Sequence, residues 1–113
     1  MNPAADPFLS EVLALLGPRG LTADAELMEP WLTDWRGRYT GAARALASPA
    51  DAQELAALVR LCARHGVPIV PQGGNSGMSG GATPDASGVA LIVSLRRMNA
   101  IRRLDPQARI VVC

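Results

Sequence analysis

The 113-residue sequence contains no lysine, so all of its 11 basic side chains are arginines. A P-loop requires a lysine that reaches the phosphates and a hydroxyl that binds magnesium, so Walker-type nucleotide hydrolysis is excluded. Histidine occurs once and cysteine twice, and Cys62 and Cys113 lack the spacing of a zinc site or a disulfide framework. We therefore expect no metal site in this chain.

The sequence also has no large excess of charge of one sign and no long apolar run. The 11 basic and 10 acidic residues give a net charge of +1, which argues against binding to nucleic acid or to an anionic membrane. No apolar run approaches the ~20 residues that span a bilayer, and the first seven residues do not resemble a secretory signal. The sequence predicts a cytoplasmic protein without a transmembrane segment, in which any association with the inner membrane is peripheral.

Glycine, in contrast, is concentrated in one stretch. Residues 71–81 read PQGGNSGMSGG and follow the apolar run Val67–Val70. Such a loop can adopt positive φ angles, and its successive N–H groups can bind an anion without obstruction by Cβ atoms. A flexible linker is the alternative, but Gln72, Asn75 and Met78 are unusual in a spacer, and the loop directly follows a strand-like segment. We favour a phosphate-binding loop.

The loop does not match the dinucleotide fingerprint G-x-G-x-x-G. The segment after it leads through Pro84–Gly88 to another apolar run, where a Rossmann unit would require a helix. A bound pyrophosphate would therefore be held by loop amides alone, without the dipole of a helix.

The pattern before the loop predicts helices. One is expected over Pro7–Leu16, ended by Gly17 and Pro18, and a second over Ala25–Trp31, capped by Thr22 or Asp24.

A third helix is predicted between Asp51, which forms a capping box with Glu54, and Gly66. Residues facing the sheet from this helix should lie three or four positions apart. They are Leu55, Leu58, Val59 and Cys62. We expect Cys62 to be an inert core thiol and His65 to favour the carboxyl end of the helix rather than bind a metal.

The strands complete a βαβ unit. Strands are predicted over Ala43–Ala47 and, parallel to it, Val67–Val70, with a buried strand over Val89–Val93. A β-hairpin is expected from residues 101–104 and 109–113 around a turn that contains Pro106. The fold class is therefore α+β.

Residues 71–81 resemble the pyrophosphate-binding loop of FAD-linked oxidases of the p-cresol methylhydroxylase and vanillyl-alcohol oxidase type. Within that superfamily the chain is most similar to the D-2-hydroxyacid dehydrogenases, the D-lactate, glycolate and D-2-hydroxyglutarate group. The resemblance continues through LTDWRGRYTG at residues 32–41 and SLRRMNAI at residues 94–101. It implies an amino-terminal helical cap and lead-in loop over residues 1–40 and the first part of an FAD-binding domain over residues 41–113.

The resemblance assigns cofactor binding to the glycine loop. The implied FAD-binding residues are Pro71, Gln72, Gly73, Gly74, Asn75, Ser76, Gly77, Met78, Gly80 and Gly81. Gln72 replaces an arginine found in many oxidases, which removes a cation near the phosphates. Asn75 replaces the histidine that tethers the flavin in some relatives, so we expect FAD to be bound non-covalently.

The implied reaction is oxidation of a D-2-hydroxy acid to a 2-oxo acid, with an electron acceptor other than NAD. The catalytic and metal-binding residues of the relatives lie beyond residue 113, so the resemblance assigns no catalytic residue here. We expect an amino-terminal fragment that is inactive alone. Another oxidase of the superfamily and a binding module without activity are the alternatives. Residues 34–39 form either a surface turn, with Trp31 and Trp35 packed at the domain edge, or a functional loop.

Overall fold

The computed structural model describes residues 5–113, and the first four residues of the predicted 1–40 segment lie outside the described residues. The described helices and strands confirm the α+β fold. The helices are α1 (Pro7–Leu16), α2 (Ala25–Leu32) and α3 (Ala52–His65). The strands are β1 (Leu21–Thr22), β2 (Ala45–Ala47), β3 (Ile69–Gln72), β4 (Leu91–Ser94), β5 (Arg103–Asp105) and β6 (Ile110–Val112).

The first four strands form one sheet in the order β1-β2-β4-β3. Strands β2 and β3 each pair in parallel with β4, which lies between them, and β1 pairs antiparallel with β2. The predicted βαβ unit is therefore present as β2-α3-β3, with a third parallel strand inserted. Strand β1 was missed because it is only two residues long and Thr22 also fitted a helix cap; Asp24 provides that cap instead.

Both faces of the sheet are covered by helices. Leu91 and Val93 contribute to a core with α1 and α3, whereas Ile92 contributes to a smaller core with Met28 of α2. Side chains alternate between the two faces of a strand, so β4 is buried on both sides and reads as a continuous apolar run.

Helix α3 begins as predicted, but its buried stripe differs. Asp51 accepts a hydrogen bond from the Glu54 amide at 2.8 Å. The Glu54 carboxylate accepts one from the Ala50 amide at 2.7 Å, whereas a capping box would use the amide of Asp51. Val59 was wrongly placed in the core, since it is 44% exposed, and Leu61 is buried instead. Because α3 packs against α1 as well as the sheet, its buried face is rotated toward Leu61.

Asp6 joins helix α1 to the sheet. It caps α1 by accepting from the amides of Phe8 and Leu9, and it receives two parallel hydrogen bonds from Arg44 at 2.8 and 2.9 Å. Burial raises the pKa of Asp6, but the hydrogen bonds from Arg44 and the two amides outweigh it, so the pKa lies below its ordinary value. The pair fixes α1 beside the start of β2.

Strands β5 and β6 form the predicted hairpin as a separate two-stranded sheet. The Ala108 amide donates to Asp105 within the turn, and Arg109 has a positive φ of 57°. Most apolar side chains in and beside this hairpin face solvent. They are Ile101, Leu104, Ile110, Val111 and Val112.

Candidate functional site

Three buried polar residues lie at the carboxyl ends of the parallel strands, which form one edge of the sheet. Ser48 immediately follows β2, whereas Gln72 and Ser94 end the neighbouring strands β3 and β4. Open sheets with parallel strands bind ligands in the crevice beyond the carboxyl ends of those strands. The glycine loop leaves β3 at this edge, so the candidate site lies where the topology favours one.

The loop starts later than the sequence suggested. Strand β3 includes Pro71 and Gln72, which were expected to belong to the loop, and its first residue is Ile69 rather than Val67. The connection to β4 also extends further, because Val89 is 51% exposed and β4 begins at Leu91. Pro71 and Gln72 therefore form the stem from which residues 73–82 project.

The loop amides are available for a ligand. Among residues 5–113, none of the amide N–H groups of residues 73–82 donates a hydrogen bond to a protein acceptor. Residues 71–84 also contain no charged side chain, so no carboxylate would oppose an anion. Exposed, unpaired amides on an uncharged loop fit a phosphate or pyrophosphate group.

The glycines provide access rather than unusual backbone angles. A Cβ added at Gly73, Gly74 or Gly77 would meet no neighbouring atom within 4 Å, and none of the three has a positive φ. The left-handed residues of the loop are Asn75, with φ of 54°, and Gly80, with φ of 79°. Of the five glycines in residues 71–81, Gly80 alone uses the positive φ that such a loop can adopt.

One side chain of the stem and one of the loop point back toward helix α2. The Gln72 amide nitrogen donates to the carbonyl groups of Trp31 and Ala82, each at 3.0 Å. The Asn75 amide nitrogen donates to the carbonyl groups of Pro30 and Thr33 at 3.2 and 2.9 Å. The resemblance implied that both residues bind the cofactor. In the structure their side chains donate to backbone carbonyl groups of the protein.

Asp34 organises the lead-in loop that supports the glycine loop. Its carboxylate accepts from the Tyr39 amide at 2.9 Å, and its own amide donates to the Tyr39 carbonyl at 3.0 Å. The hydrogen bond from the Tyr39 amide lowers the pKa of Asp34. The Tyr39 ring packs against Gly80, because a Cβ added at Gly80 would lie only 3.1 Å from the ring. Asp34 therefore has a structural role in this loop.

The two tryptophans of this region differ. Trp31 is partly buried beside the α2 core, but Trp35 is 70% exposed, so the alternative in which both tryptophans pack at the domain edge holds for Trp31 and not for Trp35. The guanidinium of Arg96 lies 4.8 Å from the centre of a Trp31 ring. Arg96 follows β4 and forms no salt bridge with any of residues 5–113. The Arg96 guanidinium therefore stacks on Trp31, whose carbonyl group accepts a hydrogen bond from the Gln72 side chain.

Another surface groove lies away from the glycine loop. It has a volume of about 570 Å³ and runs between α1 and α3, where Leu15 and Leu61 form part of its lining. A smaller cleft of about 370 Å³ lies between the lead-in loop and the end of the glycine loop, lined in part by Tyr39, Gly80 and Thr83. The glycine loop itself is an open surface, which suits a ligand that extends along the backbone.

A family model for the FAD binding domain matches residues 43–113 of the chain. The chain belongs to this FAD-binding family. The match covers more than half of the sequence and includes the βαβ unit, the glycine loop and the hairpin. The glycine loop therefore lies within the part of the chain that matches the FAD binding domain.

Known relatives of this FAD-binding chain include D-2-hydroxyglutarate dehydrogenases. The Arabidopsis thaliana mitochondrial enzyme is 33% identical over 88% of this chain and 17% of its own length. The Xanthomonas citri pv. viticola enzyme is 39% identical over 83% of this chain and 20% of its own length. The chain thus spans about a fifth of the length of these relatives.

A solved structure of p-cresol methylhydroxylase with bound substrate has the same fold. It superposes with a TM-score of 0.76 at 23% identity, covering 95% of this chain and 21% of that one. This comparison confirms that the FAD-binding chain has the p-cresol methylhydroxylase-type fold inferred from its sequence.

Sequence reasoning missed several polar residues at the edge of the sheet. Ser48 and Ser94 were not identified as candidates, although each directly follows an apolar strand segment. Arg97 was also missed, and its guanidinium donates to the Ser48 carbonyl at 2.8 Å. For the two serines, the position at the end of an apolar strand was the available signal.

Other kinds of site are not evident in the described part of the FAD-binding chain. Within residues 5–113 there is no cluster of three or more His, Cys, Asp or Glu side chains that could hold a metal. In the same range, none of the helices combines the length and apolar character needed to cross a membrane. Burial raises the pKa of the Cys62 thiol, as expected for an inert core cysteine.

Proposed function

We propose that the glycine loop holds the pyrophosphate of FAD through its backbone amides. The main support for this proposal is that none of the amides of residues 73–82 donates a hydrogen bond to a protein acceptor among residues 5–113. Gly73, Gly74 and Gly77 leave the loop open to close approach. Ser76, Met78, Gly80 and Gly81 complete the proposed cradle, and Pro71 and Gln72 form its stem.

Arg96 is the candidate counter-charge for the phosphates. Gln72 occupies the position of an arginine in many oxidases of the superfamily, so the stem of the loop is uncharged. The stacking of Arg96 on Trp31 brings a guanidinium to the residue whose carbonyl anchors Gln72. A guanidinium can bind phosphate oxygens through two parallel hydrogen bonds.

The flavin is proposed to be held without a covalent link. The Asn75 side chain is an amide, which is not a nucleophile, and it is bonded to two backbone carbonyl groups. Acid precipitation of the complete protein is therefore expected to leave FAD in the supernatant. Yellow flavin that stays with the washed pellet would contradict this expectation.

For the complete protein we propose oxidation of a D-2-hydroxy acid to the 2-oxo acid, with an electron acceptor other than NAD. The support is the similarity to D-2-hydroxyglutarate dehydrogenases, of which this chain spans about a fifth. The bound flavin would accept the hydride. The task of the described residues is to hold and orient the cofactor.

The reaction class is tested by flavin reduction in the complete protein. Anaerobic stopped-flow mixing with D-2-hydroxyglutarate, D-lactate and glycolate is expected to bleach the flavin absorbance with at least one of them. The L enantiomers of the two chiral acids are the matched control and should leave the flavin oxidised. Reduction only by L-hydroxy acids, sugars or phenols would contradict the proposal.

A further inference from the structure

The carboxyl end of helix α2 lies under the glycine loop. The last carbonyl groups of a helix have no partners within that helix and carry partial negative charge. Here, three carbonyl groups at this end receive hydrogen bonds from loop side chains: those of Pro30, Trp31 and Thr33. The donors, Gln72 and Asn75, lie about 40 residues further along the chain and act as side-chain caps for α2.

We propose that Gln72 and Asn75 are positioning residues that lock the glycine loop onto the end of α2. This inference rests on the proposed function, because the locked loop is the one proposed to bind FAD. Their amide groups also cover carbonyl oxygens that would otherwise place partial negative charge beside an anion site. Each residue therefore acts on the cofactor through the backbone it holds and not by touching it.

Gln72 closes the base of the loop. The residue is 2% exposed, and its amide nitrogen bridges Trp31 before the loop and Ala82 at the loop's end. Its backbone carbonyl also accepts from the Leu95 amide at 3.1 Å, which ties the stem to the residue after β4. One side chain thus joins both ends of the loop to α2.

Asn75 fixes the middle of the loop. Its φ of 54° is left-handed, a conformation that asparagine tolerates better than most residues. This backbone angle accompanies the two hydrogen bonds from its amide nitrogen to Pro30 and Thr33. An aspartate has the same shape but would place a carboxylate against two carbonyl oxygens, and a glycine would keep the angle but lose both bonds.

The test compares Asn75→Gly and Gln72→Glu with the control Ser79→Ala, at an exposed loop position outside the proposed cradle, in the complete protein. Amide hydrogen exchange of the cofactor-free protein should accelerate in residues 31–33 for both test variants, whereas Ser79→Ala should match the wild type. FAD titration by fluorescence quenching should show about a tenfold or greater loss of affinity in both test variants. The thermal unfolding midpoint of Asn75→Gly should remain close to that of the wild type.

Two results would overturn the inference. One is unchanged amide exchange of residues 31–33 in both variants. The other is weaker FAD binding without any change in exchange of the cofactor-free protein, since that would indicate direct contact with the cofactor. Failure of the proposed function is distinguishable, because the wild type would then not bind FAD at the loop while the exchange measurement would still report on the contact with α2.

Discussion

Replacement of Gly74 by valine is expected to abolish retention of FAD by the complete protein. A Cβ at Gly74 would meet no protein atom within 4 Å, and its φ is not in the left-handed region, so the fold should tolerate the change. The added methyl groups would instead stand on the exposed face of the loop, among amides that have no protein acceptor in residues 5–113. We expect at least a ~100-fold loss of affinity, about 2.8 kcal/mol.

The measurement is the ratio of flavin to protein absorbance after purification, followed by titration of the cofactor-free protein with FAD. Ala86→Val is the matched control, because it adds a branched side chain at an exposed position just after the loop. Both variants should unfold at the same temperature as the wild type within a few degrees. A Gly74→Val protein with undiminished FAD content would refute the assignment of the loop.

A polypeptide of residues 1–113 alone is expected to self-associate and to bind FAD only weakly. Ile101 and Leu104 are each 67% exposed and Val111 is 52% exposed, so the β5-β6 hairpin presents an apolar surface. Burial of one such side chain contributes about 1.5–3 kcal/mol. Because exposed apolar strands pair with other chains, association is the expected way to bury this surface.

Size-exclusion chromatography with light scattering measures the association. A Leu104→Lys variant should shift the polypeptide toward the monomer, whereas the control Val59→Lys, at an exposed position on α3, should not. FAD binding, followed by fluorescence quenching, should be weaker than micromolar, because the loop offers contacts to the pyrophosphate and few to the rest of the cofactor. A cooperative monomer with sub-micromolar affinity for FAD would contradict this prediction.

The elements best predicted from sequence were those with strong local signals. Helix α1 has the predicted bounds Pro7–Leu16, since its apolar period and the Gly17 stop are both local. Helix α3 was located by Asp51 and Gly66, but the burial of Leu61 depends on packing against α1. Such packing comes from residues about 50 positions away and leaves no trace in the local pattern.

The glycine loop follows β3, as the sequence predicted, but the contacts of its side chains could not be derived. Gln72 and Asn75 stood in a motif associated with a cofactor, so binding was the natural inference. Their acceptors are backbone carbonyl groups at the end of α2 and at Ala82, and a backbone carbonyl is the same at every residue, so it gives no sequence signal. The position of Arg96 over Trp31 likewise depends on the tertiary fold.

The most direct test of the loop assignment is amide hydrogen exchange at millisecond times in the complete protein, with and without FAD. In the cofactor-free protein the amides of residues 73–82 should exchange rapidly, because none of them donates to a protein acceptor among residues 5–113. FAD should slow exchange in this segment, with residues 73–77 protected most strongly. If FAD binds while exchange of residues 73–82 remains unchanged, the pyrophosphate is held elsewhere and the account is wrong.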